Sequence, residues 1–366
     1  MKDNHHLVDF EFTLALNNAT GKYFLCRDVI EECGDLIDRV WYWRLPMKQL
    51  PTRTMAKVLG RLAVLEISFR LKSRASTHLP LMHNPRPLVF SDPREVILYE
   101  LKSRDVVLCH DMGPVTHPDL YHPTVKPTYE TAFDKIRKAK PLLVFVSECS
   151  LKTFVTLYGD DYPSMKLIYP ALRMGIHSGP EEPIAAAPQR FLLTVGSVGS
   201  RKNHLRSLEA FALSGLAELG YHYVICGGPE PGFDAVVESA GKIPAVVLPG
   251  YVSDNELRWL YAHASGFVLP SLLEGFGLPA AEAIARDLLP LVSRGGGALH
   301  EVAGDSAILV DPLDANEIAV GTRRLALMGE QERQSRLVGL RRSIARFSRE
   351  SAVEAWRATL HQALAT

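Results

Sequence analysis

A short apolar run followed by a longer amphipathic stretch recurs along this chain, and this recurrence restricts the fold more than any other feature. The runs that read as strands cover residues 105–109, 142–147, 190–196, 221–226, 245–250, 266–270 and 288–293. Stretches with helical periodicity cover 204–217, 254–263 and 279–286, and a further helix is expected over 349–365. Apolar strands separated by helices are typical of parallel sheets buried on both faces. The pattern therefore predicts an α/β fold.

The length of the chain indicates more than one domain. A chain of 366 residues is longer than one compact core of ordinary size usually organises. Residues 174–189 are rich in Pro, Gly and Ala and separate two α/β blocks. Such a composition is typical of a linker. We expect a first domain over 1–175, a second over 176–348, and a last helix, 349–366, that packs back on the first.

Strand ends are where functional residues are expected in this kind of fold. Ligands bind beyond the carboxyl ends of the strands in open parallel sheets. Two such domains in tandem are expected to face each other across a cleft. The residues that follow the predicted strands are then the candidates, namely His110, Gly196, Gly227, Gly250 and Glu274.

The stretch at 270–285, which reads PSLLEGFGLPAAEAIA, joins a strand end to a helix start. Gly275 and Gly277 allow a tight turn and a close approach to a ligand, and the amides at the helix start can bind an anion. Glu274 and Glu282 stand on either side of that start. Carboxylates accept hydrogen bonds from sugar hydroxyls. A ligand with a sugar, a phosphate and a second sugar in series, which is a nucleotide sugar, would therefore fit. The alternative is a helix start whose dipole favours nearby acids.

A second motif lies at 195–211, where a strand ends at Gly196 and Arg201 and Lys202 precede a helix. Two cations beside a strand-end loop can neutralise a diphosphate. The alternative is a solvated basic surface. The glycine spacing matches neither the nicotinamide-binding nor the P-loop pattern.

These motifs in this order resemble retaining glycosyltransferases of family 4, which have the GT-B fold. The likeness rests on RKN (201–203), GYVSDNEL (250–257), PSLLEGFGLPAAEAIA and GGGALHEVAGDSAILVDP (295–312). NNATGKYFL (17–25), VVLCHDMGPVTHPDLY (106–121) and FVSECSLKTF (145–154) match more weakly. His300 and Ser200 depart from the family pattern, and Ser200 leaves one cation in doubt. The family includes bacterial hexosyltransferases of polysaccharide and lipopolysaccharide synthesis.

The resemblance implies a role for each matching residue. Glu282 would hold the ribose hydroxyls, whereas Glu274 and His110 would act at the transferred sugar. The loop and helix start would face the phosphates, the basic pair would neutralise the diphosphate, and one further strand end would meet the base. The donor-binding residues on this reading are Gly21, Arg201, Lys202, Tyr251, Val252, Gly275, Phe276, Gly277, Leu278 and Glu282.

The resemblance also implies the reaction, which is transfer of a hexose with retention to a glycan or lipid-linked glycan acceptor. GDP-mannose is the first expectation for the donor and UDP-glucose the second. No cofactor and no metal is expected, because cations and a helix start take the place of a metal. The alternatives are a non-catalytic nucleotide-sugar binding subunit and an epimerase or phosphorylase on the same fold.

Charge and cysteine content restrict the partners and the location. The formal net charge is zero, which argues against nucleic-acid binding through bulk charge. The five cysteines form no Cys-x-x-Cys pair, so reduced, buried thiols in a cytoplasmic protein are expected.

One segment, 48–74, concentrates basic residues. These are Lys48, Arg53, Lys57, Arg61, Arg70, Lys72 and Arg74, with Glu66 as the one acid. A basic amphipathic helix can lie on anionic lipid, so contact with the inner face of the membrane is one expectation. A solvated helix that packs its apolar stripe on the sheet is the alternative.

Overall fold

The computed structural model describes residues 7–16, 21–48, 51–72, 80–173, 175 and 178–365, with only the backbone of Arg53. The chain divides into two compact units. The first contains residues 1–171 together with 349–366, and the second contains residues 172–348. The predicted boundary at residue 175 lies four residues beyond the one observed, 175 against 171.

The described residues of the first unit form one sheet. Its strands are β1 (Val8–Glu11), β2 (Ile37–Tyr42), β3 (Leu45–Met47), β4 (Leu88–Phe90), β5 (Val106–Cys109), β6 (Leu142–Phe145) and β7 (Met165–Leu167). They are ordered β3-β2-β1-β4-β5-β6-β7. Neighbouring strands are parallel, apart from the antiparallel pair of β2 and β3 at one edge.

Helices cover the strands of the first unit. They are α1 (Thr13–Leu16), α2 (Gly21–Glu32), α3 (Arg53–Lys72), α4 (Gly113–Thr116), α5 (Val125–Ala139), α6 (Glu148–Tyr158) and, from the end of the chain, α14 (Arg349–Ala365). Short three-ten helices lie at Gly34–Leu36, Pro93–Leu98 and Pro118–Leu120. Helix α14 is held on α2 by Arg349, which pairs with Asp28 at 2.9 Å and Glu32 at 2.8 Å. Its Trp356 is buried.

The second unit is built in the same way around a second parallel sheet. Its strands are β8 (Phe191–Val195), β9 (His222–Cys226), β10 (Val246–Gly250), β11 (Gly266–Leu269), β12 (Pro290–Ser293) and β13 (Ile308–Val310). Its described helices are α7 (His204–Leu213), α8 (Phe233–Ala240), α9 (Asp254–His263), α10 (Leu278–Ala285), α11 (Leu299–Ala303), α12 (Ala315–Leu327) and α13 (Glu330–Ile344), with three-ten helices at Ala217–Leu219 and Gly304–Ser306.

All the strands that the sequence predicts are present, with ends that differ by up to two residues. The strands that it missed are β1, β2, β3, β4, β7 and β13. Most of these contain three or four residues, too few to establish a period. In addition, β1 carries two buried acids, Asp9 and Glu11. Residues 53–72 of the basic segment form α3, whereas Arg74 lies outside the described residues.

The order of the second sheet, β10-β9-β8-β11-β12-β13, reverses between β8 and β11. At such a reversal, the connections after the two strands leave in opposite directions and open a crevice at the carboxyl ends. The loops after β8 and β11 therefore form the position in this unit that is best suited to a ligand. Among the described residues, no helix is long and apolar enough to cross a bilayer.

Candidate functional site

The loop after β8 folds back so that Lys202 lies over the strand end. Gly196 has a φ of +137°, and a Cβ placed there would lie 2.5 Å from Lys202 Cε. Only glycine fits at this position. Asn203, in the left-handed region at φ +62°, donates from Nδ2 to the carbonyls of Pro270 at 3.0 Å and Pro312 at 2.7 Å. The basic motif is thus fixed to the ends of β11 and β13.

Lys202 and Glu274, which the resemblance assigns to diphosphate and sugar, form an ion pair with each other. Lys202 Nζ donates to Glu274 Oε1 at 2.5 Å, and Arg201 Nη1 donates to Oε2 at 3.3 Å. Ser271 Oγ adds a bond to Oε1 at 3.1 Å. Both partners of the ion pair are buried, at 5% and 8% exposure.

The pKa of Glu274 reflects this arrangement. Burial alone would raise the pKa, yet the charges of Lys202 and Arg201 and the hydrogen bonds from Lys202 and Ser271 lower it to about 2. Glu274 is therefore a carboxylate at neutral pH. An ionised carboxylate only accepts hydrogen bonds, so its lone pairs suit donors such as hydroxyl groups.

The glycine loop at 295–297 supports the backbone of Glu274. The Glu274 amide donates to Gly296 O at 3.1 Å, and the Ala298 amide donates to Glu274 O at 3.0 Å. A Cβ on Gly297 would lie 2.2 Å from Glu274 O. This loop, which is part of the stretch 295–312, holds the backbone of Glu274 in place.

Helix α10 begins beside this carboxylate, as predicted from Pro279. Gly277 is its N-cap, with φ +97°. Within the described chain, the amides of Gly277 and Leu278 have no protein acceptor. Free amides at a helix start can bind an anion. The Phe276 ring packs on Phe347 with centroids 4.9 Å apart, so this side chain belongs to the core.

Glu282 lies one turn inside α10 and is buried. Arg173 donates to it through two nitrogens, Nε to Oε1 at 2.5 Å and Nη2 to Oε2 at 2.9 Å. Tyr261 OH donates to Oε2 at 3.1 Å. Sequence reasoning missed Arg173 and Tyr261, and no local motif could have found Arg173, because it lies 109 residues before its partner.

The remaining predicted residues of the second unit lie at neighbouring strand ends. Arg201 also donates to Glu230 Oε2 at 3.3 Å, an acid that follows β9 and was not predicted. Tyr251 and Val252 follow β10, the edge strand, and Tyr251 is 66% exposed. Gly275 lies between Glu274 and the α10 start. The loops after β8, β9, β10 and β11 thus lie at the carboxyl ends of neighbouring strands.

His110 and Gly21 belong to the first unit. His110 follows β5, and its Nε2 lies 2.9 Å from Ser91 O. Because a carbonyl only accepts, Nε2 carries the proton and Nδ1 the lone pair. Burial, and then the nearby Lys22 charge, lower the pKa of His110 to about 3. Gly21 begins α2, and the residues just before it, 17–20, lie outside the described chain.

Among the described residues, no three or more His, Cys, Asp or Glu side chains come together as a group that could hold a metal ion. The charges that gather around Glu274 are those of two cations, Arg201 and Lys202, and of the acids that pair with them.

Comparison with known proteins shows that most of the second unit resembles one family. Residues 180–337 match the family model described as "Glycosyl transferases group 1". The chain is 29% identical to O-antigen chain mannosyltransferase B of Escherichia coli over 245 residues, which is 63% of each chain. It is 38% identical to MMP alpha-(1->4)-mannosyltransferase of Mycolicibacterium hassiacum over 117 residues, 31% of this chain. The chain spans 63% of the first relative and 28% of the second.

Solved structures are similar over almost the whole chain. WaaG, described as a glycosyltransferase involved in lipopolysaccharide biosynthesis, superposes with a TM-score of 0.65 at 16% identity, covering 96% of this chain and 99% of its own. Anabaena Alr3699/HepE, solved in complex with UDP and glucose, gives a TM-score of 0.64 at 14% identity, with coverages of 97% and 99%. At these identities the likeness shows the fold, which is GT-B as expected. The family match covers Lys202, Glu274 and Glu282, and over residues 180–337 the chain is similar to the group 1 glycosyl transferases.

Proposed function

We propose that this protein transfers a hexose from a nucleotide sugar to a glycan or lipid-linked glycan acceptor, with retention at the anomeric carbon. The observation that supports it best is the series of groups at the reversal of the second sheet. A buried carboxylate, Glu282, is followed by a free helix start and then by Glu274 with two cations. A nucleotide sugar presents ribose, diphosphate and hexose in the matching order.

Each group would bind the part of the donor that its chemistry suits. Glu282 would accept from the ribose hydroxyls and Glu274 from those of the hexose. The amides of Gly277 and Leu278 would bind phosphate oxygens. Lys202, with Arg201, would stabilise the negative charge that develops as nucleoside diphosphate leaves. A fixed cation can supply this stabilisation, so the proposed reaction needs neither a metal nor another cofactor.

Retention would follow from attack on the same face that the diphosphate leaves. The bond between the anomeric carbon and the phosphate oxygen breaks, and the acceptor oxygen bonds to that carbon. The acceptor proton passes to the departing phosphate oxygen. His110 would take part as a neutral imidazole, since its pKa is about 3, with Nδ1 accepting from a sugar hydroxyl.

The relatives favour mannose. The first two are named as mannosyltransferases, so GDP-mannose is our first donor, whereas UDP-glucose is our second. The name of the first relative also indicates O-antigen chains, and a polysaccharide or lipopolysaccharide precursor is therefore the proposed acceptor. A cytoplasmic location is supported by the free thiols, because Cys26, Cys33, Cys109 and Cys226 are buried and unpaired with each other, as in reducing compartments.

Turnover assays separate this proposal from its alternatives. The full-length protein is incubated with GDP-mannose or UDP-glucose, with and without a synthetic lipid-linked mannoside, in EDTA or excess magnesium. We expect release of nucleoside diphosphate that depends on the acceptor and is not inhibited by EDTA. NMR of the product should show the same anomeric configuration as in the donor. Binding without release would indicate a binding subunit. A changed donor sugar without transfer would indicate an epimerase, and phosphate-dependent release of hexose phosphate from a glycan would indicate a phosphorylase.

A further inference from the structure

Arg201 is held between two loops of the second unit by acceptors on both sides. Its Nη1 donates to Leu273 O at 3.0 Å and to Glu274 Oε2 at 3.3 Å. Its Nη2 donates to Glu230 Oε2 at 3.3 Å. Leu273 and Glu274 belong to the loop after β11, whereas Glu230 belongs to the loop after β9. The guanidinium of Arg201 therefore links two strand ends.

Glu230 packs against the loop that follows β8. Backbone hydrogen bonds join the two loops, from the Glu230 amide to Val198 O at 3.0 Å and from the Val198 amide to Gly228 O at 2.7 Å. A Cβ on Gly199 would lie 2.4 Å from Glu230 Cγ and 2.5 Å from Pro231 O. A side chain at position 199 would therefore displace the acid or the backbone next to it. Glu230 thus lies against the same loop that carries the basic pair.

The carboxylate of Glu230 is weakly held for a mostly buried acid. Its side chain is 15% exposed, and Arg201 donates to it at 3.3 Å, beyond the usual range of about 2.7–3.2 Å. Within the described chain, its other oxygen, Oε1, is buried and has no hydrogen-bond donor. By contrast, Glu274 accepts from Lys202 at 2.5 Å. A carboxylate held by one long hydrogen bond can be exchanged for a stronger anionic acceptor such as a phosphate.

The ion pairs around Arg201 balance its charge before any ligand binds. Two cations, Arg201 and Lys202, pair with two acids, Glu230 and Glu274. A nucleoside diphosphate carries several negative charges, and an acid beside it opposes its binding by repulsion between like charges. Glu274 has a proposed part in binding hexose hydroxyls. Glu230 has no such part, so its effect on a bound diphosphate passes through Arg201.

We propose that Glu230 is the resting counterion of Arg201, and that Arg201 exchanges this carboxylate for a phosphate oxygen when nucleotide binds. A guanidinium pairs with phosphate through the same planar nitrogens that pair with carboxylate. The exchange lowers the affinity for nucleoside diphosphate, because the pair with Glu230 must first be broken. Glu230 takes Arg201 back as nucleoside diphosphate leaves, and this favours product release. The inference rests on the proposed function, since it requires a nucleoside diphosphate at this loop.

Calorimetric titration of GDP and UDP into the whole chain tests the exchange. Glu230→Gln keeps the size of the side chain and removes its charge, so we expect it to bind nucleotide about tenfold more tightly than the wild type. Its affinity should also fall more steeply with salt, since the loop then carries net positive charge. Glu230→Ser should shift the affinity in the same direction. Glu230→Asp keeps the charge and should bind no more tightly than the wild type.

A second background shows whether the effect passes through Arg201. Where Arg201→Gln is already present, Glu230→Gln should gain less affinity, because the competing pair is absent. The control is Glu238→Gln, which removes an exposed acid paired with Lys242 and should bind like the wild type. Melting curves check the fold of each variant.

The outcomes separate this inference from the proposed function. If the wild type binds nucleotide but neither Glu230→Gln nor Glu230→Ser binds it more tightly, the exchange alone is wrong. An equal gain from Glu230→Gln in the Arg201→Gln background would also overturn the exchange. A wild type that binds neither GDP nor UDP would overturn the proposed function and the exchange with it.

Discussion

Arg173 holds both carboxylate oxygens of Glu282, with Nε 2.5 Å from Oε1 and Nη2 2.9 Å from Oε2. Arg173 is the second residue of the second unit, just after the division between units. Both side chains are mostly buried. Bidentate pairing fixes the plane of a carboxylate as well as its charge. The pair therefore makes Arg173 a positioning residue for the glutamate proposed to bind ribose.

Replacing Arg173 should weaken nucleotide binding more than it slows turnover of bound donor. Arg173→Ala releases the carboxylate, and Arg173→Lys keeps the charge but loses the planar fork. We expect the KM for donor to rise roughly tenfold or more, following the loss of a charged hydrogen bond, with a smaller rise for the lysine variant. Steady-state kinetics measures both constants. The control is Arg341→Ala, which breaks an exposed ion pair with Asp287. Equal kinetic constants in the wild type and all variants would show that Arg173 does not position Glu282.

The effects of replacing Lys202 and Glu274 on the free energy of unfolding should depend on each other. Lys202→Met leaves a buried carboxylate with the more distant Arg201, and removing one partner of a buried pair costs about 3–5 kcal/mol. The double variant Lys202→Met, Glu274→Gln should lose less stability than the two single losses added. Urea unfolding of the four proteins gives the coupling. Strictly additive losses would mean that the two charges do not depend on each other.

The depressed pKa of Glu274 predicts the direction of a pH effect. Its folded value of about 2 lies below the ordinary 4.5, so the group stabilises the fold above about pH 4.5 and this contribution is lost as the pH falls towards 2. The loss is about 3 kcal/mol by linkage. The stability difference between wild type and Glu274→Gln should therefore narrow from pH 5 to pH 3. A difference that stays constant over that range would contradict the ion pair.

The centre of each sheet could be predicted from sequence, because strands such as β6 and β11 are uninterrupted apolar runs. The edge and acid-bearing strands could not, since Asp9 and Glu11 in β1 are kept in the core by contacts from distant residues. Trp41 Nε1, for example, donates to Asp9 Oδ2 at 2.9 Å. Asp9 and Trp41 are 32 residues apart in the sequence, so no short stretch contains both partners.

The positions of the candidate residues were predictable where one motif contains both a strand end and polar side chains, as for Glu274, Lys202 and the start of α10. The ion pair between Lys202 and Glu274 was not predictable, because the motifs assign these two residues to different parts of the donor. The support from Arg173 and Tyr261 comes from segments that only the fold brings to Glu282. The signal for such partners lies in three-dimensional charge balance, since a buried carboxylate needs a donor.

The low pKa of His110 predicts that its proposed part in the reaction does not depend on pH near neutrality. A value of about 3, below the ordinary 6.5, keeps the imidazole neutral above roughly pH 5. His110→Asn should lower kcat, by loss of a hydrogen bond of about 1 kcal/mol or more, by the same factor from pH 5.5 to 8.5. An ionisation between pH 6 and 7 that is present in wild type and lost in this variant would show that His110 titrates in catalysis.

We propose that the second-unit site binds the nucleoside diphosphate part of a donor through Glu282, the α10 start and Lys202. Calorimetric titration of GDP and UDP into wild type, Glu282→Gln and Lys202→Ala measures this without any acceptor or turnover. We predict that one nucleotide binds the wild type, and that each variant binds it at least tenfold more weakly. Unchanged affinity in both variants, or no binding of either nucleotide to the wild type, would show that these groups do not bind the nucleoside diphosphate.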